Sequence, residues 1–294
     1  MHESVLRKEV VMYLSPESNG LYLDCTLGCG GHTRAILENS SPGGKVIGID
    51  LDERAIEIAK AELEEFAGRY DAICGNYVNA GEILSMHGIQ YVDGILLDLG
   101  VSSLQLNNAE RGFSFVRNGP LDMRMGQANV LTAYEVVNFW NIERLSKIFR
   151  EFGEERHSEK IARKIVDERK KLPVKTTKDL AELVKMSVPP YSRRAKIHPA
   201  TRVFQAIRIA VNMELENLRR FLSGALGLLK VGGRITVISF HSLEDRIVKN
   251  TFREWQSTGV FEILTKKVIT PSVEEVRVNP RARSAKLRAG RKQK

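Results

Sequence analysis

The chain has 294 residues, of which 43% are apolar, and its 45 lysines and arginines against 36 aspartates and glutamates give a formal net charge of +9. This length allows one large domain and a smaller one, with a sizeable core. No stretch approaches the roughly 18 apolar residues of a membrane span, and the first residues lack the apolar region of a secretory signal. We therefore expect a cytoplasmic protein without a membrane partner.

The cysteine and histidine patterns argue against two further classes of protein. Cys25, Cys29 and Cys74 form no C-x-x-C pair, and their odd number argues against a disulfide framework. His2, His87 and His157 do not have the spacing of metal ligands. The sequence therefore predicts reduced thiols and no metal site.

The basic residues are concentrated in two segments of the chain. Residues 277–294 hold eight basic residues and no acidic one, and residues 146–202 hold 16 basic and eight acidic residues. Such zones predict a polyanion partner, because each phosphate contact releases counterions and the contacts add up. A solvated helix face and a disordered tail are the alternative interpretation.

The first third of the chain predicts buried strands that alternate with helices. The strands are expected at residues 21–23, 45–50, 70–74 and 93–97, and helices at 33–38 and 53–66. This alternation predicts a parallel, doubly wound sheet, whose ligands lie at the carboxyl ends of the strands. We therefore expect the glycines after the first strand to lie at the same edge of the sheet as Asp50, Asn76, Tyr77 and Asp98.

The turn after the first strand predicts a nucleotide-type ligand. Gly28 and Gly30 allow a ligand to approach the backbone, and Asp50 follows Gly30 by 20 residues, the spacing at which an acid reaches ribose hydroxyls. Thr33 stands where a dinucleotide-binding turn has its third glycine. The pattern therefore favours an adenosine cofactor without a pyrophosphate, such as S-adenosylmethionine. NAD fits less well, and a purely structural turn remains an alternative.

A helical insertion is predicted after Asp98. Helices are expected at residues 132–139, 142–152, 155–171 and 178–187, with no strand between them. We predict a sheet domain of residues 1–106 and 206–294, interrupted by an all-helical domain of residues 107–205. A long helix at 199–229 then leads into strands at 234–240, 260–266 and 284–288, with Ser242 as the cap of a helix at 241–252.

Eight ordered segments resemble one family, the MraW/RsmH family of ribosomal small-subunit RNA cytosine-N4-methyltransferases. They extend from near one end of the chain to the other, and their order makes the match far more specific than the glycine turn alone. The segments are residues 24–33 (DCTLGCGGHT), 48–50 (GID), 93–103 (DGILLDLGVSS), 111–115 (RGFSF), 120–125 (PLDMRM), 198–206 (HPATRVFQA), 239–246 (SFHSLEDR) and 279–281 (NPR).

The resemblance implies a class I S-adenosylmethionine-dependent methyltransferase fold, Rossmann-like and doubly wound, with a helical insertion. It also implies S-adenosylmethionine as methyl donor. The acceptor would be the exocyclic N4 amine of a cytidine in 16S ribosomal RNA, within the small ribosomal subunit. Family members often carry Phe where this chain has Tyr77, and either ring can lie against adenine. Carried over position by position, the cofactor contacts fall on Gly30, Gly31, His32, Asp50, Tyr77, Asp98 and Gln105.

Asp98 is the candidate catalytic residue. A cytosine amine is a poor nucleophile, because its lone pair is delocalised into the ring, and an acceptor for its N–H groups favours attack on the methyl group. Asp98, at the end of the fourth predicted strand, can be that acceptor, or it can orient the cofactor. His241 follows the fifth strand, and a helix-opening role is the commoner one for such a residue.

Two other classes of function stay open at the level of sequence. One is an NAD-dependent oxidoreductase on the same sheet, and the other is a non-catalytic RNA-binding assembly factor with a vestigial cofactor pocket. For RNA binding we expect Arg193, Arg194 and Lys196 to meet phosphates. The sequence predicts neither the target nucleotide nor the oligomeric state.

Overall fold

The computed structural model describes residues 4–127, 129–193 and 198–294. The chain divides into two compact units. The sheet unit comprises Met1–Gly100 and Leu215–Lys294, and the helical unit comprises Val101–Glu214. The sequence placed the ends of the insertion at residues 107 and 205, inside the bounds of the helical unit.

The sheet unit is built on seven strands in the order β3-β2-β1-β4-β5-β7-β6. Strands β1 to β5 run parallel, and β7 is antiparallel to both of its neighbours. The order reverses at β1, which lies between β2 and β4, and ligands of doubly wound sheets bind outside such a switch point. The strands are Leu21–Asp24 (β1), Lys45–Asp50 (β2), Tyr70–Cys74 (β3), Val92–Asp98 (β4), Leu229–Ser239 (β5), Phe261–Ile263 (β6) and Lys286–Lys292 (β7).

Helices connect the parallel strands and build the helical unit. Short 3₁₀ turns lie at Glu64–Phe66, Tyr77–Asn79, Ala109–Arg111 and Pro280–Ser284. The α-helices of the described residues are Arg7–Leu14 (α1), Gly31–Asn39 (α2), Glu53–Glu62 (α3), Ala80–Met86 (α4), Ser103–Asn107 (α5), Ala133–Phe139 (α6), Ile142–Glu151 (α7), Ser158–Arg169 (α8), Thr177–Ser187 (α9), Pro190–Arg193 (α10), Ala200–Asn212 (α11), Glu214–Leu228 (α12), Ser242–Ser257 (α13) and Val273–Val278 (α14).

The central strands are buried on both faces, as parallel sheets require. Because side chains alternate along a strand, neighbouring residues enter different cores. Leu23 of β1 and Ile95 of β4 pack on the face covered by α12 and α13. Tyr22 and Leu96 pack on the other face, together with residues of α1, α2 and α3. The predicted fold class, a Rossmann-like doubly wound sheet of the class I methyltransferase type with a helical insertion, is confirmed.

The helical unit has its own apolar core. In α7, Leu145, Ile148 and Phe149 recur at steps of three and one, so that they share the face packed against the neighbouring helices. Ile161 of α8 and Val203 of α11 belong to the same core. The unit therefore buries enough apolar surface to be compact by itself. Among the described residues, no helix of either unit is long and apolar enough to cross a membrane.

Three local predictions were wrong. The stretch 199–229 is two helices and not one, because Met213 takes a left-handed conformation with φ 53° between α11 and α12. Strand β5 begins at Leu229, earlier than residue 234. Helix α13 is capped by His241 and not by Ser242, since His241 Nδ1 accepts the Glu244 N–H and Glu244 bonds back in a capping box.

Candidate active site

The candidate site lies at the carboxyl ends of β1, β2 and β4, where the order of strands reverses. The turn after β1 is tied to both neighbouring strands. The Gly28 N–H donates to Asp50 Oδ2 at 2.7 Å, and the Asp98 N–H donates to Thr26 Oγ1 at 2.7 Å. The structure thus brings the glycine turn, Asp50 and Asp98 together, as the sequence predicted from strand topology.

Asp24 and Thr33 hold the two ends of the turn. Thr33 Oγ1 donates to Asp24 Oδ2 at 2.7 Å, and the Thr26 N–H donates to Asp24 Oδ1 at 3.1 Å. Asp24 is fully buried, and this burial raises its pKa. Thr33, which stands in place of the third glycine of a dinucleotide-binding turn, therefore fastens α2 to the end of β1.

Gly30 of the turn makes room for protein atoms. Gly30 has φ +85°, and a β-carbon there would lie 3.1 Å from Leu63 and 3.4 Å from Ala59. Gly28 has φ +53°, a conformation that favours glycine. The sequence explained these glycines by ligand approach, and the structure explains Gly30 by backbone conformation and helix packing. The polar groups offered to a ligand are the N–H groups in the first turn of α2, which have no acceptor within the helix.

Asp50 is an acid poised to bind hydroxyl groups. Its Oδ2 accepts the Gly28 N–H, and its Oδ1 accepts the Asp52 N–H at 2.9 Å. Burial raises the pKa of Asp50 to about 6, although these two hydrogen bonds act in the opposite direction. An ionised carboxylate has about four lone-pair sites, so two acceptor positions remain for a ligand with neighbouring hydroxyls.

His32 and Asp98 face each other at the same edge of the sheet. The His32 ring is almost fully buried, and its Nε2 lies 3.5 Å from Asp98 Oδ2. Both ring nitrogens of His32 and the Oδ1 atom of Asp98 are buried without a hydrogen-bond partner among the described residues. Buried polar atoms are nearly always satisfied in folded proteins. These three atoms therefore indicate a ligand that supplies their partners.

The remaining predicted site residues, Tyr77 and Gln105, lie on two other segments. Tyr77 begins the 3₁₀ turn after β3, and its ring packs edge-on against Phe221 at 5.5 Å between centroids. Gln105 belongs to the helical unit, where it is buried and forms a capping box with Ser102 at the start of α5.

Comparison with known proteins decides the family. The model of the MraW methylase family matches residues 1–293. This chain belongs to the MraW methylase family. It is 52% identical over 292 residues to the ribosomal RNA small subunit methyltransferase H of Pseudothermotoga lettingae, covering 98% of this chain and 97% of that protein. The protein of the same name from Thermotoga neapolitana is 53% identical over 291 residues, with 98% and 95% covered. The predicted family resemblance is confirmed.

Sequence reasoning did not predict the hydrogen bonds of two residues of the turn in this MraW methylase, Asp24 and Thr26. Thr26 accepts the Asp98 N–H, and Asp24 anchors both Thr26 and Thr33. Both residues lie inside the segment that resembles the family, but their partners are distant in sequence or on the next helix. His241 caps α13, and its Nε2 lies 3.2 Å from Glu244 Oε1. This geometry agrees with the helix-opening role that was expected for His241.

The C-terminal basic segment of this MraW methylase uses much of its charge within the fold. Arg288 Nε donates to Asp245 Oδ1 at 2.7 Å, and Arg291 pairs with Glu262 at 2.7 Å. Lys292 Nζ donates to the carbonyl oxygens of Leu226, in the last turn of α12, and of Leu229, the first residue of β5. The sequence argument counted these cations toward a polyanion partner, whereas the structure gives them partners inside the sheet unit.

Proposed function

We propose that this MraW methylase transfers a methyl group from S-adenosylmethionine to the exocyclic N4 amine of a cytidine in 16S ribosomal RNA. The family match over residues 1–293 and the names of the relatives support this proposal. The observation that carries it is the set of buried polar atoms on His32 and Asp98, near the glycine turn, that have no hydrogen-bond partner among the residues the structure describes. A plain structural turn gives no reason for such atoms.

The residues of the site fit an adenosine cofactor that ends in an amino acid. The two acceptor positions left on Asp50 suit the hydroxyl pair of a ribose. The first-turn N–H groups of α2, at Gly31 and His32, suit a carboxylate. Tyr77 offers a ring face for adenine, and Gly30 holds the turn in its left-handed conformation. Gln105 completes the proposed set by resemblance to the family.

The bound cofactor supplies a methyl group on a positively charged sulfur, and the protein has to align the attacking amine with it. The cytosine amine is a poor nucleophile unless its N–H groups donate hydrogen bonds to an acceptor. Asp98 Oδ1 is a buried oxygen without a partner among the described residues, while Oδ2 faces His32 at 3.5 Å. We assign the Asp98 carboxylate, whose side chain is 25% exposed, to the amine, with its Oδ2 also facing His32. After transfer, the methylated nitrogen loses a proton, for which Asp98 is the nearest proposed acceptor.

The helical unit is the proposed RNA-recognition domain. Arg144, Lys147 and Arg150 are exposed and follow one another at steps of three along α7, so they form a basic stripe on that helix. Such a stripe suits phosphate groups of a structured RNA, which proteins recognise largely by shape and backbone. The phosphate contacts predicted within residues 193–196 involve side chains outside the described part of the chain. We propose the small ribosomal subunit as the setting of RNA recognition.

Neither alternative function gains support from an observation. An NAD-dependent oxidoreductase is not favoured by a turn in which Thr33 bonds to Asp24. A non-catalytic assembly factor gives no reason for the buried polar atoms of His32 and Asp98 that have no hydrogen-bond partner in the described part of the chain.

The deciding experiment is methylation of ribosomal particles from a strain that lacks this activity. Purified protein and isotope-labelled S-adenosylmethionine are added, and the modified nucleotide is mapped by mass spectrometry. We expect one labelled cytidine in 16S ribosomal RNA, with the label on N4. Label on another base or another position, or no label with a folded protein, would overturn the proposal.

Asp98→Asn separates the two roles of Asp98. The amide keeps the shape of the side chain but removes its negative charge. If the carboxylate serves the amine, kcat falls about 100-fold or more, and the dissociation constant for S-adenosylmethionine changes little. A large rise in that dissociation constant with kcat preserved would instead assign Asp98 to the cofactor alone.

A further inference from the structure

The N-terminal segment, residues Ser4–Leu14, packs beside the glycine turn. Leu6, Val10 and Leu14 are buried in the same core as Ile36 and Leu37 of α2. Helix α2 is the helix whose first turn faces the proposed cofactor. The segment therefore belongs structurally to the donor side of the site, although the segments that resemble the family begin only at residue 24.

Leu6 is held in a conformation that its side chain disfavours. It has φ 53° and ψ 34°, in the left-handed region, directly before α1, and it is fully buried. Residues with a β-carbon are seldom found there unless their surroundings fix them, and such strain is concentrated at functional sites. The conformation of Leu6 decides how the chain leaves α1 toward Ser4.

A residue from the far end of the chain fixes this turn. Glu275 Oε1 accepts the Leu6 N–H at 2.7 Å, across 269 residues of sequence. Glu275 lies on α14, which has no buried residue and exposes Val273 and Val278. Core packing therefore does not explain α14. The hydrogen bond between Leu6 and Glu275 gives this short helix a structural role, which is to hold the Leu6 turn.

Ser4 lies where the segment reaches the glycine turn. A β-carbon built at Gly31 would collide with the Ser4 hydroxyl oxygen and would lie 3.5 Å from the Ser4 β-carbon. Gly31 is the first residue of α2, and Gly30 precedes it as the N-cap. The Ser4 hydroxyl thus covers the helix start to which we assign the amino-acid end of the cofactor.

We propose that Ser4 is a further residue of the donor site and that Glu275 is the positioning residue that holds Leu6, and through it Ser4, over the first turn of α2. The inference rests on the proposed function, since it takes S-adenosylmethionine as the ligand. The Ser4 hydroxyl can donate to a carboxylate or accept from an ammonium group, and both are present at the amino-acid end of that molecule. Glu275 itself contacts no ligand.

Calorimetric titration with S-adenosylmethionine tests the positioning role. Glu275→Ala removes the acceptor of the Leu6 N–H, and we expect affinity to fall about tenfold, the effect of removing one partly buried hydrogen bond. Glu275→Gln keeps an acceptor oxygen and is expected to stay within about twofold of the unmodified protein. Glu274→Ala is the matched control, because Glu274 is an exposed acid on the same helix, and it should leave affinity unchanged.

The outcomes separate this inference from the proposed function. If the unmodified protein does not bind S-adenosylmethionine, the proposed function fails. If it binds and Glu275→Ala binds equally well, the positioning role is wrong, whatever happens to the melting temperature. If Glu275→Gln is as weak as Glu275→Ala, the charge acts and not the hydrogen bond to Leu6, and that result also overturns the inference.

A double-mutant cycle tests the contact between Ser4 and Gly31. Gly31→Ala forces the Ser4 hydroxyl out of its place, so we expect weaker cofactor binding. Ser4→Ala alone should weaken binding by about threefold, as for a modest hydrogen bond. In the double variant the two β-carbons can lie in ordinary contact, and part of the affinity that Gly31→Ala removes should be recovered. Strict additivity would show that Ser4 does not cover the turn.

Discussion

Within the sheet unit, the acidic side chains at the strand ends are partly or fully buried, whereas helix α8 of the helical unit carries ion pairs that are exposed to solvent. Asp50 is enclosed enough to raise its pKa to about 6, and its oxygens hold two backbone N–H groups. In α8, Arg163 pairs with Glu159 at 2.6 Å, yet both side chains are more than 60% exposed. The same kinds of charge thus act in two different surroundings.

This difference determines how each region responds to change. A partly buried carboxylate interacts strongly and with few partners, so a single substitution has a large effect. An exposed ion pair contributes little and is screened by salt. Surface cations matter to a polyanion only as a group, because their contacts add up. We therefore expect single substitutions to have large effects at the donor site. On the helical unit, we expect each substitution to have a small effect that adds to the others.

The largest effect is expected for Asp50→Ala. Removal of the charged acceptor should weaken S-adenosylmethionine binding about 100-fold, the effect of removing hydrogen bonds to a charged group. RNA binding should be largely retained. Calorimetry and a filter-binding assay measure the two affinities. Asp71→Ala is the control, because Asp71 is an exposed acid on the neighbouring strand β3. Equal cofactor affinity in Asp50→Ala would contradict the assignment.

The pH dependence of cofactor binding also tests the role of the Asp50 carboxylate. Ribose hydroxyls bind the ionised form of Asp50, whose pKa in the free protein is about 6. Below pH 6 the carboxyl group takes up a proton, so affinity should fall by up to about tenfold per pH unit. Calorimetry between pH 8 and pH 5 measures this slope, and Asp50→Asn should flatten it. Constant affinity of the unmodified protein across that pH range would contradict binding of the cofactor by ionised Asp50.

The contribution of Asp50 to the stability of the free protein should change with pH in the opposite direction to its contribution to cofactor affinity. Its folded pKa, about 6, lies above the ordinary value of 3.8. The neutral form is therefore favoured by folding, and this group lowers the free energy of unfolding as pH rises from about 4 to 6. The full penalty above pH 6 is about 3 kcal/mol. Denaturant unfolding across this range, with Asp50→Asn as reference, checks the sign.

An intermediate effect is expected in the C-terminal basic segment. Arg288 and Asp245 are each 15% exposed, and their pair lies between strand β7 and helix α13. Arg288→Ala should lower the free energy of unfolding by about 2 kcal/mol, because Asp245 is deprived of its closest partner. Arg283 is exposed in the preceding 3₁₀ turn, and Arg283→Ala should change stability by less than about 0.5 kcal/mol. Equal destabilisation by both would mean that the paired and exposed cations do not differ.

The smallest individual effects are expected on the basic stripe of α7. Lys147→Gln and Arg150→Gln should each weaken RNA binding a few-fold and lower the salt slope by about one for each phosphate left without its cation. The free energy of unfolding should hardly change. Arg220→Gln, at an exposed position of α12 in the sheet unit, provides a charge-matched control. A salt slope that stays constant after both α7 substitutions would exclude this stripe from the RNA interface.

The sequence predicted well those features that depend on local pattern. The strand ends carrying Asp50 and Asp98 follow from buried runs that alternate with helices, and the class of sheet follows from that alternation. The break at Met213 was not predictable, because the apolar steps continue through it from α11 into α12. The left-handed conformation of Met213 leaves no signal in that periodicity.

Ion-pair and hydrogen-bond partners that are distant along the chain were also not predictable from the sequence. Arg288 and Arg291 appear in a run of cations, and their acidic partners become neighbours only once β7 lies beside β5 and β6. The bond between Glu275 and Leu6 is of the same kind. Charge counted along the chain therefore overstates what the tail can offer to a nucleic acid.

The position of β7 also sets the order in which the protein can be completed during synthesis. β7, at residues 286–292, lies between β5 and β6, and β6 pairs with β7. Until these residues leave the ribosome, β5 keeps one open edge and β6 has no strand to pair with. Open strand edges promote association between chains. A chain cut short before β7 therefore leaves an edge of β5 open, and association between such chains is the expected consequence.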